Sequence, residues 1–148
     1  MRIAVYAFDG VTMFHLSIPQ MVFGTVSRLG LADWQVSLFT TGSESVGPVE
    51  DPADSTASAP SPTATLISSP TTAPVRSPTT TSIRTSEGYV LSGLGGPESA
   101  QEADVVVVPA WFADGRAAED SLRSLLKEAH DRGASVVGLC LGAIPLAE

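Results

Sequence analysis

One cysteine occurs in the 148 residues of the chain, and its neighbours make it the first candidate for chemistry. Cys140 is the centre of Gly138-Leu139-Cys140-Leu141-Gly142, directly after the apolar run Ala134-Ser135-Val136-Val137. This is the cysteine version of the Gly-x-Ser-x-Gly elbow, in which a buried strand turns sharply into a helix with the nucleophile at the bend. The flanking glycines let the backbone turn tightly and let other chain come close. Strained backbone is expected at the bend itself. A thiol there faces the positive end of a helix, which favours the thiolate, and the N–H of Leu141 is placed to donate to an oxyanion.

Nucleophilic catalysis also needs a base within hydrogen-bond reach of the sulfur. The chain has two histidines. His15 is the candidate base. His130, beside Asp131 at the end of a predicted helix, reads as a solvated residue that stabilises that end. Cys140 is therefore a catalytic nucleophile, a redox-sensitive or ligand-contacting thiol, or an inert buried remnant of the elbow. His15 either lines a pocket or is a hydrogen-bonded structural residue. The residues alone leave these alternatives open. One cysteine and two distant histidines make no metal-ligand set. The glycines between 93 and 96 lack the lysine and hydroxyl of a phosphate loop. No metal or cofactor is expected.

The elements that must position Cys140 read as α/β. Residues 2–8 are nearly all apolar, as in a parallel strand covered on both faces, and Asp9-Gly10 ends them. Asp9 either caps the helix that follows or lines a pocket, and capping is the simpler reading. Residues 13–29 are predicted helical, with a richer apolar stripe through Phe14, Ile18, Met21, Val22, Thr25 and Leu29. Pro19 predicts a kink or restart, and Gly30 a stop. Residues 34–40 alternate as a second strand. A hairpin turning near Glu87-Gly88 is expected from residue 83 onward, then a short helix near 97–102. Four consecutive valines, 105–108, closed by Pro109, mark a central strand. Leu122, Leu125, Leu126 and Ala129 mark a helix over 117–132, stopped by Gly133. The next strand leads to Cys140. Asp9, Pro109 and Cys140 thus fall at the carboxyl ends of strands, where such sheets bind ligands.

Between residues 47 and 82 lie seven of the eleven prolines, at 48, 52, 60, 62, 70, 74 and 78, among serine, threonine and alanine. Such a segment buries too little apolar surface to offset its ordering entropy and is expected to be a disordered insertion. The remaining composition, 43% hydrophobic, supports one domain at most. No run approaches the ~20 apolar residues that span a bilayer, and no signal peptide pattern opens the chain. A single cysteine fits a reducing cytoplasm. A net charge of -8 argues against nucleic-acid contact by this segment.

Four stretches carry a family resemblance: Phe8-Asp9-Gly10-Val11 running on to Pro19 and Val22-Phe23; Arg84-Thr85-Ser86-Glu87-Gly88-Tyr89; Val105 through Pro109-Ala110-Trp111; and Arg132-Gly133-Ala134 through Cys140 to Leu146-Ala147. Together they resemble the ThiJ/PfpI branch of the class I glutamine amidotransferase-like superfamily, and more narrowly the N-terminal domain of AraC-type transcriptional regulators. The resemblance implies a flavodoxin-like sandwich around a mostly parallel sheet. It implies a domain that senses a small-molecule effector or forms a homodimer, with DNA binding left to another region. Enzymes of the family imply the alternative, a hydrolase, deglycase or glyoxalase-like activity that uses Cys140. Ligand-pocket positions carried over are Asp9, His15, Ala110, Trp111 and Leu141. His15 stands where those enzymes commonly have an acid. Pro109-Ala110-Trp111 replaces their Pro-Gly-Gly, so the indole implies a closed or reshaped pocket. The family's later elements fall past Glu148, which implies a truncated domain, and a non-functional fragment is the third reading.

Overall fold

The computed structural model describes residues 1–42 and 81–148. The expected disordered insertion lies outside them, apart from its last two residues. Those are a correction: Thr81 and Ser82 belong to a strand, and Ser82 is buried opposite Ser92. In chain order the elements are β1 (Arg2–Tyr6), α1 (Met13–Arg28), β2 (Gln35–Phe39), β3 (Thr81–Arg84), β4 (Val90–Leu94), α2 (Glu98–Gln101), β5 (Val105–Val108), α3 (Asp120–Asp131) and β6 (Ser135–Gly138), followed by a 3-10 turn over Cys140–Ala143.

Four strands form one parallel sheet in the order β2-β1-β5-β6, and β3 and β4 form a separate antiparallel hairpin. The architecture is α/β and consistent with a flavodoxin-like sandwich. From β1 the chain steps outward to β2, and from β5 it steps the opposite way to β6. Right-handed crossovers then put α1 and α3 on opposite faces. The strand order reverses between β1 and β5, which is where ligand crevices open in such sheets. The core is built from the central strands: Ile3, Val5, Val106, Val107 and Val108 are all but inaccessible. Leu122, Leu125, Leu126 and Ala129 of α3 close over one face.

Helix ends follow local chemistry. Thr12 caps α1, its hydroxyl accepting from the His15 N–H at 3.2 Å, a contact worth about 1 kcal/mol at such a position. At the other end Gly30 has φ 66°, its N–H donates to Ser27 O, and Leu31 N–H donates to Val26 O. That pair of bonds is a Schellman stop. Gly133, with φ 94°, ends α3 in the same way through His130 O and, from Ala134 N–H, Ala129 O. Two expectations about helices change. α1 runs through Pro19 without the expected restart, and that ring is fully buried. α3 begins at Asp120 rather than 117, because Glu119 is still extended at its N-cap.

The β3–β4 turn is stitched to the start of α1. Gly10 N–H donates to Arg84 O, Ser86 N–H to Val11 O, and Arg84 N–H to Asp9 Oδ1 at 2.6 Å. The Glu87 carboxylate accepts the Met13 N–H, at 3.1 Å to Oε2. Loss of hydration pushes this carboxyl up. Hydrogen bonds from the Met13 and Glu87 N–H groups and the Thr85 and Ser86 hydroxyls outweigh that, and it lies below its ordinary value of 4.5. A carboxyl held low in the folded state binds fewer protons there than when unfolded. Its stabilising effect is therefore complete above the ordinary value and fades as pH falls through the lower, folded one. Glu87→Gln is expected to lose stability at neutral pH and to show a flatter decline once pH drops below 4.5, measured as urea midpoints across an acid series.

Candidate functional site

Because β1, β5 and β6 are parallel neighbours, their carboxyl ends share one edge of the sheet. The loops leaving β1 and β5 meet there through aromatic rings. Phe8 lies 5.5 Å from Trp111 and 4.9 Å from Phe112, centroid to centroid, and Trp111 and Phe112 stand edge to face. Tyr6 stacks on Phe8 from the strand side. Its phenol is pushed up by burial, a shift that the Thr41 hydroxyl partly offsets. Trp111 is buried and its indole N–H donates to Arg116 O at 2.7 Å. The side chains of Phe8, Trp111 and Phe112 therefore occupy the place where the strand order reverses.

The strand-to-helix bend at Cys140 is present. Cys140 has φ 51°, the only described residue other than glycine with a positive φ. β6 ends at Gly138, Leu139 N–H donates to Val108 O at 2.9 Å, and Gly142 N–H returns to Leu139 O at 2.8 Å. Both glycines are required by close approach rather than by φ. A Cβ on Gly138 would lie 2.6 Å from Gly142 O and 2.7 Å from Ala143 Cα. A Cβ on Gly142 would overlap the carbonyl of Val108 and press on Ala110 N. The bend is thus wedged against the end of β5, which fixes the direction in which Cys140 emerges.

Two readings of Cys140 change. The cysteine is exposed, so it is not a buried remnant. The element after it is one 3-10 turn rather than an α-helix, and Ile144 N–H bonds back to Leu141 O in the three-residue pattern. Pro145 explains this: in an α-helix it would owe a hydrogen bond to Leu141 O and has no N–H to give. Few peptide dipoles are aligned at so short a turn, which weakens the expected helix-end field at the sulfur.

The remaining candidates divide into two groups. Asp9, Ala110, Trp111 and Leu141 lie with Cys140 along the carboxyl edge. Asp9 does not cap α1, since Thr12 does; it holds the end of β3 through Arg84 N–H and borders a shallow cavity of about 390 Å³ with Ser82 and Thr85. Ala110 is buried beneath the elbow, and Leu141 is partly exposed beside it. His15, in the first turn of α1, is held by its own neighbours. Its Nδ1 shares a 2.6 Å hydrogen bond with Thr12 Oγ1, and its ring edge meets Phe14. Among the described residues no hydrogen bond joins His15, or any other side chain, to Sγ of Cys140. Nor does a group of three His, Cys, Asp or Glu side chains gather as a metal set among them.

Sequence reasoning passed over Tyr6, Thr12 and Glu87. The spacing Thr12-x-x-His15 is that of a capping box with histidine at the third position, a signal that could have placed His15. Nothing local marks Glu87, which reaches α1 only through the tertiary fold. Comparison with known proteins finds no family model and no curated protein that matches the chain. No helix among the described residues is long and apolar enough to cross a membrane.

Proposed function

We propose that the chain is a ligand-sensing or dimerising regulatory domain, of the kind found at the N-terminus of AraC-type regulators, acting in the cytoplasm on a small-molecule effector. The observation that carries this reading is the state of the acid–base partner. His15 Nδ1 is hydrogen-bonded to the Thr12 hydroxyl, and among the described residues no base is hydrogen-bonded to the exposed sulfur of Cys140. A nucleophile without a base lacks the proton acceptor that covalent catalysis requires. An exposed thiol on a rigid bend is suited instead to contact an effector or to respond to oxidants.

A second reading has its own support. The positive φ at Cys140 is the kind of strain that active sites retain, and it favours a cysteine-dependent enzyme of ThiJ/PfpI type. Methylglyoxal, a small reactive aldehyde, separates the two. The regulatory reading predicts that iodoacetamide alkylates Cys140 in the folded protein while methylglyoxal is not turned over. Turnover that disappears in Cys140→Ala would replace it with the enzyme.

A further inference from the structure

α1 is apolar around much of its circumference, outside a polar sector of Ser17, Gln20, Ser27 and Arg28. Over residues 13–31 the one fully charged side chain is Arg28, in a chain of net charge -8. A helix with so wide an apolar surface ordinarily buries most of it. Here Leu16 and Pro19 are its fully buried residues, and among the described elements α1 packs chiefly on β2. Most of the richer stripe points outward, with Ile18 and Thr25 half-buried. Phe14 is 69% exposed, Met21 64%, Val22 57% and Leu29 67%, with Leu31 at 72% just beyond the helix end. At 100° per residue, Phe14, Ile18, Met21, Val22, Thr25 and Leu29 fall within a band about 100° wide and roughly 22 Å long.

We infer that this face is the contact between two copies of the chain, which pack their α1 helices antiparallel about a two-fold axis. Area and charge select this occupant. Five large apolar side chains exposed to this degree present roughly 500–650 Å², taking about 150–200 Å² for each when fully exposed. That is most of the ~800 Å² per partner in a standard stable interface, and it lies at the upper end of the ~300–600 Å² that a monomer ordinarily leaves in its largest patch. Two acidic chains repel each other across most of their surfaces, whereas this face carries no carboxylate and so lets identical copies meet. The stripe is also self-complementary when reversed. With the axis between Met21 and Val22, Phe14 of one copy meets Leu29 of the other, Ile18 meets Thr25, and Met21 meets Val22. The inference deepens the dimerising half of the reading above and rests on it. The thiol half is tested separately by alkylation and methylglyoxal.

The test is the mass of the full chain by light scattering over a dilution series, with Met21→Glu as the first variant. Glutamate is a good helix former, and Met21 is exposed, so the fold should persist while two like charges are brought close together beside the axis. The expected result is a dimer for the parent chain and a monomer with unchanged circular dichroism for Met21→Glu, a weakening of dimerisation of at least about 100-fold. A second variant, Met21→Cys in a Cys140→Ser background, is expected to form a disulfide-linked dimer on mild oxidation. A monomeric parent, a Met21→Glu variant that stays dimeric, or no cross-link in the cysteine variant each overturns the assignment. A monomeric parent that binds uncharged phosphatidylcholine vesicles overturns it in favour of a lipid surface.

Discussion

Gly142→Ala is expected to destabilise the protein by about 3 kcal/mol or more, a large share of the ~5–15 kcal/mol that holds a domain of this size together. The added methyl overlaps the carbonyl of Val108, at the carboxyl end of the buried valine strand. Backbone cannot step aside there as a flexible side chain could, because Val108 is paired to Gly138 on β6. Relief requires the elbow to lift from the end of β5, breaking the bond from Leu139 N–H to Val108 O. The same substitution at Gly24 is the control. That glycine lies inside α1 with nothing near its added Cβ, so Gly24→Ala should stabilise by about 0.5–1 kcal/mol through the unfolded chain. Guanidinium unfolding of both variants gives the comparison. Equal effects at the two positions would mean that the elbow is not wedged against β5.

Trp111→Ala is expected to cost about 3–5 kcal/mol, the usual range for removing a buried indole. Its ring touches Phe8 and Phe112, and its N–H donates to Arg116 O, so truncation leaves a hole and removes that hydrogen bond. The hole opens where the strand order reverses, and its walls are aromatic. Such cavities stay dry and take up small apolar molecules. Added indole should therefore raise the melting temperature of Trp111→Ala and leave the parent chain unaffected. Absence of rescue in a folded variant would argue that the crevice collapses rather than standing filled by Trp111.

The fold was readable because its strongest elements announce themselves. Four valines in a row have no good alternative to a central strand, and the leucine spacing of α3 has none to an amphipathic helix. Gly30 and Gly133 stop their helices by the geometry that their conformational freedom permits. Gly138 and Gly142 were recognisable from their spacing about Cys140, although the reason, contact with Gly142 O, Ala143 and the end of β5, is visible only in three dimensions. The site was less legible. Whether Cys140 is exposed depends on what covers the edge of a sheet, and no local pattern encodes that. Asp9 and Glu87 bond to segments about 75 residues away, so their roles arise from the tertiary fold alone. The stripe on α1 was legible as apolar, but periodicity does not say which face turns inward. The sheet took Leu16 and Pro19 and left the richer face to solvent.

The central claim is geometric: Cys140 sits in left-handed backbone on a bend held by two glycines that have no room for a side chain. Thermal unfolding of Cys140→Gly beside Cys140→Val tests it most directly. Left-handed backbone costs a residue with a Cβ about 1 kcal/mol and a β-branched one more, while glycine is free of the cost. Glycine is expected to raise the melting temperature by about 2–4 °C and valine to lower it. A lower melting temperature for Cys140→Gly, with Cys140→Val unchanged or raised, is what an ordinary strand or helix position would give, and it would contradict the elbow.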